Sequence, residues 1–218
     1  MHPSARSLSF IAIIARITGM NSPNESKRSA GRQARQTTHE RGRTYERGHR
    51  GAQAAPQLQK FSDKTVENEK VEQIVEAGLF AASGMGRQAT HLVVVRNVED
   101  VAQLSRMNAQ IMGTSSDPFY GAKTVVVVLT DPSVPTCVED GALVMGNLMN
   151  AAHALGVGSC WIHRAREEFE SEEGKALLAK WGVEGEWRGV GHCVLGYAEE
   201  DGEQPAAARK EGRVTFVL

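Results

Sequence analysis

The sequence predicts one folded domain, with or without an appendage, in which helices alternate with apolar strands around a central sheet. That pattern belongs to the α/β or α+β class. Short runs rich in β-branched residues, at 91–97, 123–132, 158–163 and 189–198, are typical of buried strands. Segments with apolar residues at helical spacing lie between these runs. Apolar residues make up 41% of the 218 residues, which is enough to build a core.

The first part of the chain differs in charge from the rest. Residues 1–60 hold 11 Lys and Arg against three acidic residues, whereas residues 61–218 hold 14 against 23. The stretch 20–55 contains seven Arg and almost no large apolar side chains, so it cannot bury enough surface to offset the entropy lost on ordering. We therefore predict a disordered basic leader over 1–59 and a folded domain over 60–218.

The basic leader allows two interpretations. Basic residues neutralise phosphates, so the leader could serve as a nucleic-acid arm. Tyr45 is the only Phe, Tyr or Trp of the 20–55 stretch and no recognised motif is present, which favours a solvated leader. The apolar run at 8–15 is shorter than the ~20 residues of a membrane span and is followed at once by Arg16. We therefore expect neither a membrane helix nor a secretion signal.

The first helix of the domain is predicted from apolar residues at helical spacing, namely Val71, Ile74, Val75, Gly78 and Leu79. Two glycines, Gly84 and Gly86, interrupt the helical pattern before the strand at 91–97. A second helix is predicted over 98–110. It connects that strand to the one at 123–132, the most strongly patterned strand of the chain.

The third helix opens at Thr136, where Thr136 and Glu139 have the spacing of a capping box. It runs to about Leu155 and is closed by Gly156. Apolar side chains cover almost its whole circumference, and a helix of that kind must be buried on several sides. These side chains are Val138, Ala142, Leu143, Val144, Met145, Leu148, Met149, Ala152 and Leu155. In a chain of this length, such burial predicts contact with a second subunit.

The last part of the chain places two cysteines in core strands. A fourth helix, predicted over 171–182, separates these strands. Cys160 and Cys193 lie among apolar residues and are predicted to be inert thiols. Together with Cys137 they form no CxxC pair, which argues against a zinc site or disulfides and is typical of a reducing, cytoplasmic setting. No metal-ligand spacing, GxxxxGK[ST] phosphate loop or GxSxG hydrolase motif is present.

Three stretches share their order and spacing with one known family. The first is "EQIVEAGLFAASGMGRQATHLVVV" at 72–95, and the second is "EDGALVMGNLMNAAHALGVGSCWIHRA" at 139–165. The third is "GVGHCVLGYA" at 189–198, followed by "AARK" at 207–210. Together they resemble the nitroreductase family of FMN-dependent oxidoreductases, and the resemblance covers about 60–218.

The resemblance implies a fold and an activity. The fold is α+β, a three-layer α/β/α arrangement with a central mixed sheet, in a homodimer whose two FMN sites are built from both chains. In the family, NADH or NADPH reduces the FMN, and a second substrate then takes the electrons in the same pocket by a ping-pong mechanism. The implied acceptors are nitroaromatic, quinone-like or similar small molecules. The flavin carries the chemistry, so no catalytic residue of the protein is expected.

The resemblance also implies three groups of FMN-binding residues. The loop residues Ser83, Met85, Gly86 and Gln88 would lie along the flavin ring edge, although the family often has Asn where Gly86 stands. The segment after the third strand, Trp161, Ile162, His163 and Arg164, matches backbone that approaches flavin N5 and O4. Arg209 falls where the family places a basic residue on the FMN phosphate.

The sequence departs from the family before Lys60. Relatives have an amphipathic helix leading into "RRSxRxF", whose arginines bind the FMN phosphate, whereas here only Lys60-Phe61 remains. We hypothesise that residues up to about Gln59 are encoded in a shifted reading frame, because re-reading plausible codons can restore Arg-Ser-x-Arg. Two alternatives to the enzyme stay open. One is a non-catalytic, FMN-deficient relic, and the other is nucleic-acid binding through the leader.

Overall fold

A four-stranded sheet forms the centre of the domain. The computed structural model of the protein describes residues 57–199 and 208–218, and the predicted leader lies outside them through residue 56. The strands are β1 (Thr90–Val95), β2 (Thr124–Thr130), β3 (Gly158–Ile162) and β4 (Arg188–Gly196). They are arranged in the order β1-β2-β4-β3, and each neighbouring pair is antiparallel. All four strands fall at the positions that the β-branched runs predict.

Five helices surround the sheet in the described part of the chain. They are α1 (Asn68–Leu79), α2 (Val98–Met112), α3 (Cys137–Ala154), α4 (Ala165–Glu170) and α5 (Glu172–Lys180). The sequence pattern predicts all of them except α4, which is only six residues long. None of the helices in the described ranges is both long and apolar enough to cross a membrane.

The alternation of side chains along β2 separates the core into two layers. All seven residues of β2 are buried. Val125, Val127 and Leu129 pack on one face with residues of α2, α4 and α5. Val126 and Val128 pack on the other face with residues of α1 and α3. Successive strand residues point to opposite faces of the sheet, so helices pack on both of its faces. This is the predicted α/β/α sandwich, and the α+β class is confirmed.

The sheet differs from the predicted mixed sheet in one respect. Its four strands are all antiparallel, and the only parallel pairing among the described residues is an isolated bridge between Gln57 and Ser159. Leu58 continues this pairing, because its N–H donates to Ser159 O at 2.8 Å and its side chain is buried against Gly158. Phe61 is also buried, against Gly196. Leu58, just before the boundary predicted at Lys60, is therefore already packed on the domain.

The capping box predicted at the start of α3 is wrong. Thr136 has φ −96° and ψ 16°, which is not the extended conformation that an N-cap side chain needs to reach the backbone. Its hydroxyl donates instead to the carboxylate of Asp140 at 3.1 Å. The other end of α3 is as predicted, because Gly156 follows the helix with φ +68°.

The apolar circumference of α3 is only partly covered within one chain. Met145, Leu148 and Ala152 are fully buried against the sheet and α1. Val138 and Leu143 are 39% and 52% exposed. The stripe formed by these two residues is the part of the helix for which the sequence predicts a second subunit.

Candidate functional site

The loop Ser83–Gln88 has an unusual backbone. Gly84–Gly86 form a short 3₁₀ turn, and positive φ angles occur at Met85 (55°), Gly86 (66°) and Gln88 (51°). The Ser83 hydroxyl accepts a hydrogen bond from the Gln88 N–H at 3.0 Å, which closes the loop on itself. Met85 is 88% exposed, and nothing lies within 4 Å of where a Cβ on Gly86 would stand. The predicted loop residues therefore present an open backbone surface in a fixed conformation.

A buried carboxylate anchors this loop to α3. The Asp140 side chain accepts a hydrogen bond from the Gly84 N–H at 2.8 Å and one from the Thr136 hydroxyl at 3.1 Å. Asp140 is buried, so both bonds are shielded from water. Sequence reasoning missed this residue. The available signal was an acidic side chain in the first turn of a helix that is otherwise predicted to be buried.

The segment Trp161–Arg164 begins in β3 and ends beyond it. Ile162 is buried and paired with His192, whereas Trp161 is half-buried and lies over Gly191. The indole Nε1 of Trp161 is buried and has no hydrogen-bond partner among the residues that the structure describes. A buried N–H without a partner is rare in folded proteins and is a donor that a bound molecule could use.

The backbone of Trp161 faces the open edge of the sheet. β3 is an edge strand, and Ser159 uses its outer carbonyl to accept from the Leu58 N–H. Because residues two apart in a strand present their N–H and C=O groups to the same side, Trp161 presents its own groups to that edge. Leu58 pairs with this edge at Ser159, whereas no backbone partner for the outer groups of Trp161 lies among the described residues, so these groups are a ready hydrogen-bonding surface.

Arg164 adopts a left-handed conformation immediately after His163. Its φ is 79° and its ψ is 4°, values that a residue with a side chain seldom adopts. The His163 carbonyl accepts a hydrogen bond from the Asn108 side-chain amide at 2.7 Å. The Arg164 guanidinium lies 3.4 Å from the Asn108 side-chain oxygen. The sequence did not indicate Asn108 as a site residue.

A cavity of about 200 Å³ adjoins this segment. Its lining comprises Val138, His163, Arg164, Arg166, Glu167, Arg188, Gly189 and Val190. Three arginines against one glutamate give the cavity a positive character, which attracts anionic groups. Arg166 also forms an exposed ion pair with Glu170 at 2.8 Å. The first turn of α3 contacts both parts of the predicted site. Val138 lines the cavity beside the Trp161–Arg164 segment, and Asp140 bonds to the Ser83–Gln88 loop.

Arg209 is the predicted site residue that the structure does not bring to the others. It lies on an exposed stretch, 208–218, that forms no helix or strand. No hydrogen bond or ion pair within the described ranges joins it to the loop or to the Trp161–Arg164 segment. The same ranges hold no cluster of three or more His, Cys, Asp or Glu residues that could bind a metal ion.

Comparison with known proteins finds a family match over most of the folded domain. The model of the Nitroreductase family matches residues 58–197, which is more than half of the chain. A relative from Archaeoglobus fulgidus, named for NADH dehydrogenase and NAD(P)H nitroreductase, is 29% identical over 107 residues. These residues are 47% of this chain and 59% of that protein. The chain spans a little over half the length of the curated relatives it matches.

Solved structures show the same fold. A nitroreductase from Bacteroides fragilis, solved with bound FMN, matches with a TM-score of 0.70 and 25% identity, over 75% of this chain and 95% of its own. A nitroreductase from Desulfitobacterium hafniense, also with bound FMN, matches with a TM-score of 0.71 and 21% identity. That match covers 79% of this chain and 98% of the other, and it supports the fold.

Proposed function

The chain belongs to the nitroreductase family, and from that premise we propose that it is an FMN-dependent oxidoreductase. It passes electrons from NADH or NADPH to a small-molecule acceptor, nitroaromatic, quinone-like or similar, by a ping-pong mechanism. The observation that carries the proposal is the pair of backbone segments at 83–88 and 161–164, each held in place by hydrogen bonds to side chains. Both lie where the family binds the flavin, and three buried free cysteines accord with a cytoplasmic protein.

The residues present fit a flavin in three ways. The Ser83–Gln88 loop offers open backbone that a planar ring can approach, because no side chain stands at Gly86. The Trp161–Arg164 segment offers outward-facing backbone on the edge strand β3 and the indole N–H of Trp161, which has no partner among the described residues. FMN, when bound, supplies the redox chemistry. The protein orients it, excludes water, and directs fixed dipoles at the ring, where negative charge develops on reduction.

The positive cavity and the tail suit the anionic parts of the cofactors. Arg164 and Arg188 line the cavity, and guanidinium groups bind phosphates through paired N–H donors. Arg209 is exposed. We assign Arg209 to the FMN phosphate on the resemblance, and the exposure of its side chain is compatible with that role.

We also propose that the active species is a homodimer. Val138 and Leu143 leave apolar surface exposed on α3, and Val138 also lines the cavity. The chain end adds exposed apolar side chains at Val214 and Phe216. A second copy of the chain would cover such surface, and the stripe predicts that it does so next to the site. Sedimentation or light scattering of the purified protein tests this, and a monomer with intact FMN binding would contradict it.

The decisive experiment measures FMN content and NAD(P)H oxidation in the purified full-length protein. We expect a yellow protein with flavin absorbance that oxidises NADH or NADPH when a quinone or nitroaromatic compound is supplied. The ping-pong order is tested by mixing the protein with NAD(P)H in the absence of oxygen and of any acceptor. The bound flavin should then be reduced. A colourless protein that added FMN does not reconstitute would overturn the proposal.

One observation favours the alternative of an FMN-deficient relative. Gln59 is exposed and neutral where the family has an arginine, and the neighbouring Lys60 is paired with Glu199. Gln59→Arg should then tighten FMN binding, since a hydrogen bond to a charged group contributes about 1.5–3 kcal/mol. Gln73→Arg, an exposed glutamine on α1, is the matched control. Resequencing the gene across codons 46–59 tests the shifted frame, which fails if no alternative frame encodes Arg-Ser-x-Arg.

A further inference from the structure

Three polar side chains form a network in the core beneath the Trp161–Arg164 segment. Asn108 of α2, Glu168 of α4 and His192 of β4 are all fully buried. His192 Nε2 lies 3.0 Å from one Glu168 carboxylate oxygen, and Asn108 donates to the other. Burying such groups is costly unless they bond to one another, as these three do, although His192 Nδ1 is buried without a partner among the described residues.

The network fixes the orientation of the Asn108 amide. The Asn108 nitrogen donates to two acceptors, the Glu168 carboxylate and the His163 carbonyl at 2.7 Å. Its oxygen faces the Arg164 guanidinium at 3.4 Å. An amide turned the other way would point its oxygen at two acceptors, so only one orientation satisfies every partner.

The contact to His163 also fixes the direction of the next N–H. A trans peptide is planar, and its C=O and N–H point in opposite directions. The His163 carbonyl points inward to the buried Asn108, so the Arg164 N–H points outward, away from the core. The left-handed conformation of Arg164 is held from both sides, because its carbonyl accepts from the Glu168 N–H at 3.1 Å.

We propose that Asn108, oriented by the Glu168–His192 pair, is a positioning residue that holds the His163–Arg164 peptide so that the Arg164 N–H faces the bound flavin. This rests on the proposed function for the identity of the ligand. Glu168 acts twice, through its side chain on Asn108 and through its backbone on Arg164. His192, enclosed by Phe119 and Phe169 with ring centroids 5.3 and 6.0 Å away, holds Glu168 in place.

The test replaces Asn108 and measures the segment with and without FMN. Asn108→Leu keeps the volume and removes both amide contacts. In the FMN-free protein, hydrogen exchange of the peptide spanning 161–165 should accelerate by about tenfold or more, because the segment loses its anchor. The dissociation constant for FMN should rise by about tenfold, and the FMN reduction potential should become more negative.

Gln103→Leu is the matched control, because Gln103 lies on the same helix and also donates its side-chain amide, to Glu173 at 2.8 Å. It should leave exchange at 161–165 and FMN affinity unchanged. Asn108→Ser keeps a polar side chain, but its hydroxyl stands one bond nearer the backbone than Nδ2 and cannot take the place of that atom between Glu168 and His163. It should therefore reproduce the Leu result. If either Asn108 variant folds and keeps the wild-type exchange rate and affinity, the proposal is overturned.

The remaining outcomes are equally decisive. Failure of both Asn108 variants to fold would assign the residue to core stability and overturn the positioning role. Uniformly faster exchange along the whole chain would do the same. If the wild-type protein binds no FMN, the proposed function fails, while the exchange measurement on the FMN-free protein still decides whether Asn108 holds the segment.

Discussion

The Asp140 carboxylate accepts a hydrogen bond from the Gly84 backbone N–H, with 2.8 Å between nitrogen and oxygen. This single contact joins α3, which packs in the core, to the loop that the proposed cofactor meets. Loops with few buried contacts open readily, so the geometry of an exposed loop depends on such anchors. The two residues are 56 positions apart in the sequence, so the contact joins the loop after α1 to the first turn of α3.

Asp140→Ala should weaken FMN binding. The substitution leaves the Gly84 N–H and the Thr136 hydroxyl without their acceptor, and an unpaired buried group costs about 1–3 kcal/mol. We expect a rise of about tenfold in the FMN dissociation constant and a comparable loss of unfolding free energy. Asp131→Ala is the control, because Asp131 accepts from a backbone N–H in a turn, that of Ser133. An unchanged affinity for Asp140→Ala would contradict the anchoring role.

Gly86→Asn should be tolerated and should strengthen FMN binding. Nothing lies within 4 Å of the Cβ position at Gly86, and Asn adopts positive φ more readily than most residues. The family often has Asn there, so the new side chain can supply a contact that this loop lacks. Titration of FMN fluorescence in the variant measures the gain.

Gly84→Ala is the contrasting substitution in the same turn. A Cβ on Gly84 would stand 2.3 Å from the Thr136 hydroxyl oxygen, so the loop or the start of α3 must shift. We expect this smaller substitution to reduce both stability and FMN affinity. If Gly84→Ala is neutral while Gly86→Asn is damaging, the loop geometry described for Ser83–Gln88 is wrong.

The strands and most helices could be predicted because their signals are local. The β2 run of β-branched residues indicates a buried strand wherever it occurs, and Thr124–Thr130 falls inside the predicted 123–132. The buried network could not be predicted. Glu168 stands among four nearby acidic residues in "REEFESEE", and only its contact with His192, from a separate strand, decides which of them turns inward.

The resemblance gives the candidate site only as a set of positions. The resemblance makes Trp161 and Arg164 candidate FMN-binding residues, because this segment approaches the flavin in the family. The left-handed backbone of Arg164 has no sequence signal. Positive φ is normally inferred from Gly or Asn, and Arg gives no such indication. The capping box failed for a related reason. Thr136 is not in the extended conformation that lets its hydroxyl accept from a backbone N–H of the first turn, and the hydroxyl donates to Asp140 instead.

Asp100 should make stability depend on pH in the acidic range. Its buried carboxylate accepts hydrogen bonds from Lys180 Nζ and from Trp181 Nε1 at 2.9 Å, and these bonds lower the pKa of Asp100 from its ordinary value. A lowered pKa in the folded state means that the stabilisation is present above the unfolded pKa, about 3.9, and is lost as pH falls through the folded value.

Urea unfolding of the wild type and of Asp100→Ala checks this. At pH 7 the variant should be less stable by about 1–3 kcal/mol, and the difference should shrink steadily below about pH 4. Asp63→Ala, which removes an exposed ion pair with Lys123, should change stability little at any pH. A difference that stays constant down to about pH 2 would show that the contribution of Asp100 is not electrostatic.

The thiols of Cys160 and Cys193 should be unreactive in the native protein. Burial raises the pKa of Cys160 to about 11. Burial and, to a smaller extent, the neighbouring Cys160 raise the pKa of Cys193 further. At pH 8 this rise in pKa lowers the thiolate fraction of Cys160 by about 100-fold. Since the thiolate is the reactive form, the reactivity of Cys160 falls with it. Mass spectrometry after iodoacetamide treatment should find both residues labelled in urea only, and native labelling of Cys160 would contradict its burial.

Arg164→Gly should preserve stability, whereas Arg166→Gly two positions later should reduce it. At Arg164 glycine relieves the left-handed strain, roughly 1–2 kcal/mol for a residue with a side chain. It loses the long contact to Asn108 and adds chain entropy in the unfolded state, about 0.4–1 kcal/mol, so the terms nearly cancel. At Arg166, inside α4, glycine relieves no strain and costs about 1 kcal/mol in helix propensity. Thermal unfolding compares the two variants, and an equal loss at both positions would mean that Arg164 is not strained.

Arg164→Val, which cannot relieve the strain, should be the least stable of the three, because β-branched residues are the poorest occupants of positive φ.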